Sequence, residues 1–120
     1  MLKNYRLLNG FIPISYIITH RNIPLSEKIV FTDKNPCSLV RQLLQKNGKN
    51  IWICGGADII QQLMRENLID TYYISVIPTI LGSGIHLFGT IDNELKLKLV
   101  KTQTSNGITD LIYERRFLPV

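Results

Sequence analysis

The sequence predicts an α/β domain built on a mainly parallel sheet that ends in an antiparallel hairpin. Three observations carry this. Asn50-Ile51-Trp52-Ile53-Cys54 is a continuous apolar run, the pattern of a strand covered on both faces. Short β-branched runs alternate with stretches whose apolar residues recur at helical spacing. An Asn106-Gly107 pair between two apolar segments marks a tight hairpin near the carboxyl end.

The elements follow in order. Residues 1–13 are apolar in patches, broken by Gly10 and Pro13, and are expected to be poorly ordered. Residues 14–19 form a β-branched run of strand length, ended by His20-Arg21-Asn22 and Pro24. Lys28-Ile29-Val30-Phe31 reads as a second short strand. Asn35-Pro36 gives a helix start, with Asn as the cap and Pro at the first helical position. Leu39, Val40, Leu43 and Leu44 continue that helix, and Gly48 is expected to close it. After the strand at 50–54, Gly55-Gly56 leads into a helix over 57–66. Its apolar face carries Ile59, Ile60, Leu63 and Met64, and Asn67 is its stop. Residues 71–77 form a strand halted by Pro78, and Leu81-Gly82-Ser83-Gly84 is a loop. Leu95, Leu97 and Leu99 alternate with lysines, so that strand is expected to have one wet face. The hairpin pairs it with a last strand over 108–116.

A chain of 120 residues is one domain, 1–120, with room for a core that needs no staples. Hydrophobic residues make up 45% and charged residues 19%, which excludes global disorder. No apolar run approaches the ~20 residues of a spanning helix. Met1-Leu2-Lys3-Asn4-Tyr5-Arg6 lacks the features of a signal peptide. A soluble, cytoplasmic protein without membrane partners is expected. The net charge of +5 favours an anionic ligand, for which a phosphate would suffice. The basic residues are scattered rather than massed with aromatics, so no nucleic-acid partner is expected. Cys37 and Cys54 stand far apart with no neighbouring His, so no metal site is expected and both read as packing thiols.

The segment of most interest is 51–58. There a buried strand meets a glycine pair and then a helix start. Glycines let a ligand approach the backbone, and a helix N-terminus offers N–H groups and the positive end of its dipole. A tight turn with no ligand is the other reading. The segment matches neither the Walker pattern nor the Rossmann fingerprint. Thr19-His20-Arg21, at the end of another apolar strand, combines a hydroxyl, an imidazole and a guanidinium suited to a phosphate monoester. On these residues alone a solvated strand end is the preferred reading. His86 lies in an apolar stretch and reads as a partly buried packing residue. Asp58 and Asp70 read as residues that cap or bound elements, and Tyr72 and Tyr73 must point to opposite faces.

Ile53-Cys54-Gly55-Gly56-Ala57-Asp58-Ile59-Ile60 resembles the strand-to-helix turn of the dihydrofolate reductase superfamily. Residues 77–88, from Ile77-Pro78-Thr79 through Leu81-Gly82-Ser83-Gly84 to Leu87-Phe88, resemble a segment of its branch related to the reductase domain of riboflavin biosynthesis. Their order and spacing agree with that branch over about residues 14–116, as does the closing hairpin. The resemblance implies a three-layer α/β/α fold and a cis peptide at Gly55-Gly56. It also implies an NADPH-dependent reductase acting by hydride transfer on a pteridine, pyrimidine or related heterocycle. Cys54, Gly55 and Gly56, with the amides of Ala57, Asp58 and Ile59, would hold the pyrophosphate. Thr19, His20 and Arg21 would lie near the 2′-phosphate that distinguishes NADPH from NADH.

Members of that superfamily begin with a strand, a loop and a helix that are not visible in residues 1–13. The chain therefore reads as truncated at its N-terminus, with an exposed sheet edge where the first strand would lie. The alternative to a reductase is then an inactive fragment, a scaffold that binds nucleotide weakly or only self-associates. Exposed apolar sheet and the dimers frequent among such proteins lead to the expectation of a homodimer.

Overall fold

The computed structural model describes residues 2–4, 14–21, 29–46 and 50–116. The elements run β1 (Leu2–Asn4), β2 (Ile14–Ile18), β3 (Ile29–Thr32), α1 (Pro36–Leu44), β4 (Ile51–Ile53), α2 (Ala57–Arg65), β5 (Thr71–Val76), β6 (Leu97–Ser105) and β7 (Ile108–Arg115). They form two sheets, one ordered β3-β2-β1-β4 and one ordered β5-β7-β6.

β2 and β3 are parallel, and the connection between them is longer than a hairpin turn, as a parallel pair requires. β1 is antiparallel to both of its neighbours, with Leu2 opposite Tyr16 on one side and Ile53 on the other. Part of the region expected to be poorly ordered is therefore an interior strand. Its three residues lack the length and β-branched character that mark a strand in sequence. Residues 5–13, and Gly48, lie outside the described residues.

Asn35 caps α1 as its residue type predicts. Its side-chain carbonyl accepts from the N–H of Cys37 at 2.9 Å and of Ser38 at 3.3 Å. α2 ends at Asn67, which takes positive φ (54°). Asn67 N–H bonds the Met64 carbonyl and Leu68 N–H bonds the Leu63 carbonyl, the paired closure of a left-handed cap.

Both helices lie on one face of the first sheet. Cys37 and Val40 of α1 meet Leu63 of α2 over Tyr16, Ile18, Ile51 and Ile53. Leu63, Leu43 and Val40 are almost fully enclosed. The described residues thus make two layers, not the three expected. Nor is β4 covered on both faces: Trp52 is 55% exposed on the side away from the helices. The radius of gyration is 16.0 Å, wider than the about 14 Å of a close-packed chain this long.

The second sheet is antiparallel throughout and does not join the first. Asn106 and Gly107 both take positive φ (52° and 79°), the backbone of a two-residue hairpin turn. A bulge between Leu99 and Lys101 breaks the alternation of β6, and nearly all of that strand is exposed, Leu99 at 51% included. The expected dry face of that strand is accordingly open. Between the sheets, α2 carries the chain from β4 to β5, and Trp52 stacks on Tyr73 with ring centroids 6.2 Å apart.

Tyr72 and Tyr73 do point to opposite faces, one buried and one exposed. Tyr72 packs edge-on against Phe88 at 6.4 Å. Burial pushes its phenol above the ordinary 10.0, a rise that Arg115 opposes and Asp70 reinforces. The native state thus holds this proton more tightly than the unfolded chain. Stability is whole below pH 10 and falls as the pH climbs beyond it toward the native value. Urea unfolding at about pH 9 and about pH 11 should show a fall that Tyr72→Phe reduces. Equal falls in the two proteins would count against Tyr72 as its source.

Candidate functional site

β2 and β4 both run antiparallel to β1, so they are parallel to each other and end on the same edge of the sheet. Leu2 sets Tyr16 level with Ile53. Thr19 lies three residues beyond Tyr16, and Gly56 three beyond Ile53. The two predicted segments therefore reach similar height on one edge. They are not neighbours, since β1 stands between them. Two strand spacings of about 4.8 Å put them roughly 10 Å apart.

Gly55-Gly56 forms the turn from β4 to α2, and its peptide bond is cis. Gly55 is buried with φ +116°, a conformation that disfavours any side chain. Gly56 has ordinary extended dihedrals, and nothing lies within 4 Å of the place a Cβ would take. The backbone there is open to a ligand. α2 has no side-chain cap, whereas Asn35 closes α1. The first N–H groups of a helix have no intrahelical acceptor, so those of Ala57, Asp58 and Ile59 are the donors this site offers. Asp58, in the first turn, accepts from Gln62 Nε2 at 2.8 Å. Its carboxylate is thereby held along the helix.

Thr19 N–H bonds the Thr32 carbonyl at 2.8 Å, tying the ends of β2 and β3 together. Thr19 Oγ1 accepts from Arg21 N–H at 3.1 Å, which turns the chain and leaves the hydroxyl proton to donate. His20 and Arg21 are exposed. The same turn recurs next door: Thr32 Oγ1 accepts from Lys34 N–H at 3.1 Å. Lys34 therefore joins the rim, its Nζ on Gln42 Oε1 at 2.9 Å. Lys34 is not among the residues that the sequence singles out. The repeated pattern of threonine, any residue, then a base, at 19–21 and 32–34, was the signal available.

Other expectations are corrected. Cys54 is exposed beside the glycine turn, not packed, because β4 ends before it and the chain has left the sheet. Cys37 is buried, its thiol donating to the Gln62 carbonyl at 3.5 Å, and desolvation pushes its pKa up. His86 is exposed and not a packing residue, since its loop leaves the sheet after β5. Asp70 does bound an element: it pairs with Arg115 at 3.3 Å, and Arg115 also donates to the Asn67 carbonyl. Among the described residues no cluster of His, Cys, Asp or Glu is placed to hold a metal ion. None of their helices is long and apolar enough to cross a membrane.

Comparisons with known proteins bear on the family and the fold. Two uncharacterised proteins of Bacillus subtilis (strain 168) are similar in sequence. YwjB is 40% identical over 89 residues, covering 74% of this chain and 51% of its own length. YyaP is 30% identical over 99 residues, covering 82% and 53%. The chain thus spans about half the length of these relatives. The fold is similar to that of a protein from Shewanella sp. PV-4 assigned to riboflavin biosynthesis, at TM-score 0.72 and 22% identity, covering 86% of this chain and 60% of that one. It is also similar to a pyrimidine reductase-like protein from Corynebacterium diphtheriae, at TM-score 0.59 and 20% identity, covering 84% and 50%. Residues 3–109, from β1 into β7, match the model of the RibD C-terminal domain, and to that family the chain belongs.

Proposed function

We propose that this chain binds NADPH along the edge where β2, β3 and β4 end, as part of a reductase of the riboflavin-biosynthesis type. The observation that carries the reading is the open backbone at Gly56, leading into an uncapped α2 level with the Thr19 turn. The amides of Ala57, Asp58 and Ile59 hold the pyrophosphate at the positive end of the helix dipole. Cys54, Gly55 and Gly56 form the floor beneath it. Thr19, His20 and Arg21 meet the 2′-phosphate on the other side of β1 from the glycine turn, and Lys34 adds a second cation to that rim. A cofactor held by these residues would supply hydride chemistry for the reduction of a pteridine, pyrimidine or related heterocycle. The setting is cytosolic, where both cysteines remain thiols.

A second reading is a scaffold that holds nucleotide without turning a substrate over. It is favoured by the tethering of Asp58, the carboxylate in the first turn of α2, to Gln62, which occupies the acid nearest the glycine turn.

Titration calorimetry with NADPH and NADH tests the placement. A hydrogen bond to a charged group contributes about 1.5–3 kcal/mol, so Arg21→Ala should weaken NADPH about tenfold or more. NADH, which lacks the 2′-phosphate, should be unaffected. Equal affinity for both cofactors, or measurable NADPH binding with no Arg21 effect, rejects the placement. Turnover of a heterocycle supports the reductase over the scaffold, and binding without turnover supports the scaffold. No binding of either cofactor rejects both.

A further inference from the structure

A cavity of about 230 Å³ lies at the C-terminal end of α2, the opposite end of that helix from the glycine turn. Met64, Arg65 and Asn67 form its wall on the helix side, and residues 91–95 of the segment before β6 form the other. Met64, Ile91 and Leu95 supply the apolar part, with Met64 buried. Arg65 and Asp92 line the same cavity with opposite charges. No ion pair joins them, and neither has an ion-pair partner among the described residues. Glu94 differs, since Lys96 Nζ stands 3.7 Å from its carboxylate. Opposite charges that share a cavity without closing on each other leave room for a ligand between them.

We infer that this cavity binds a small zwitterion with an apolar tail, the chemistry of an aliphatic α-amino acid. The carboxylate of such a ligand pairs with the Arg65 guanidinium, whose planar fork can hold both oxygens. Its ammonium meets Asp92 and the negative end of the α2 dipole, where Asn67 stops the helix. Its tail packs on Met64, Ile91 and Leu95. Charge selects a zwitterion over a simple ion, because an anion would also face Asp92 and Glu94, and a cation would also face Arg65. The volume falls short of the roughly 300–1,000 Å³ of drug-sized ligands, which keeps the ligand small. The nine residues of α2 span about 13 Å, so this cavity is separate from the amides at the start of the helix, and binding here needs no cofactor.

Amide chemical shifts of isotope-labelled protein, titrated with L-leucine and with L-methionine to roughly 20 mM, test it over a range suited to a millimolar dissociation constant. Either amino acid should give saturable shifts centred on residues 64–67 and 91–95. Isoamylamine and isocaproate are leucine without its carboxylate and without its ammonium. Each should bind at least about fivefold more weakly, the effect of one charge-assisted hydrogen bond in an open site. Arg65→Gln and Asp92→Asn should each weaken leucine by a similar factor. Both side chains are exposed, so the urea midpoint should not move. The two half-ligands need no substitution and decide the matter if a variant does not fold. No saturable shift with either amino acid, shifts centred elsewhere, a half-ligand that binds as tightly as leucine, or folded variants of both kinds with unchanged affinity would each overturn the inference.

Discussion

Replacing Leu63 with Ala should lower the unfolding free energy by about 3 kcal/mol, within the 2–5 kcal/mol of buried Leu→Ala changes. Leu63 is 0% exposed and stands where α2 meets Cys37 and Val40 of α1 over the first sheet. Three elements close on it, and the sheet behind it is fixed by backbone hydrogen bonds. The walls cannot collapse into the cavity, which places the cost above the minimum. Against a typical total of 5–15 kcal/mol, such a loss is a large share of the whole. Urea denaturation should show a lower midpoint with an unchanged slope. Leu99→Ala, on the half-exposed bulge of β6, is the control and should cost well under about 1 kcal/mol. Equal effects of the two substitutions would mean that the core does not centre on Leu63.

Gly56→Leu should abolish detectable NADPH binding while leaving the protein folded. The backbone at Gly56 has φ −79° and ψ −167°, which any L-residue can adopt, and the space over it is open. The change should therefore alter stability by less than about 1 kcal/mol, the ordinary range for a cap position without a side-chain bond. The new side chain would occupy the approach to the α2 amides and exclude an anion from them. Gly55→Ala should behave in the opposite way. At φ +116° it costs about 1–3 kcal/mol of backbone strain before any ligand is considered. Calorimetry together with urea unfolding separates the two. Unchanged affinity in a folded Gly56→Leu protein would move the phosphate site away from this helix.

What could be read from the residues was local chemistry. Asn35-Pro36, Gly55-Gly56 and Asn106-Gly107 each dictate a backbone geometry within a few residues, and each took the expected one. The alternation of short strands and helices likewise gave the α/β class. What escaped depends on contacts distant in sequence. Nothing in Leu2-Lys3-Asn4 marks an interior strand, because its pairing with Ile51–Ile53 is set by the gap between β2 and β4. Trp52 sits in an unbroken apolar run, and such a run cannot say which of its faces a second layer will cover. Within the candidate site, the glycine turn and the Thr19 turn were legible as sequence. Their common height on one edge was not, since it follows from register across β1. Lys34 was overlooked because a single threonine-and-base turn looks like a solvated strand end, and it gains meaning only beside its twin.

The seam between β4 and β5 also bears on how the molecule opens. Among the described residues no ladder crosses it, and α2 and the Trp52–Tyr73 stack couple the two halves. β6 and β7 close through a two-residue turn, a loop with little entropy to lose, whereas β1 must find β4 across nearly fifty residues. The hairpin half can thus assemble early and persist while the helical half frays and reforms, each as its own cooperative unit. A ligand seated at the start of α2 would damp the fraying of the helical half alone. The hairpin half would keep its own rate of breathing.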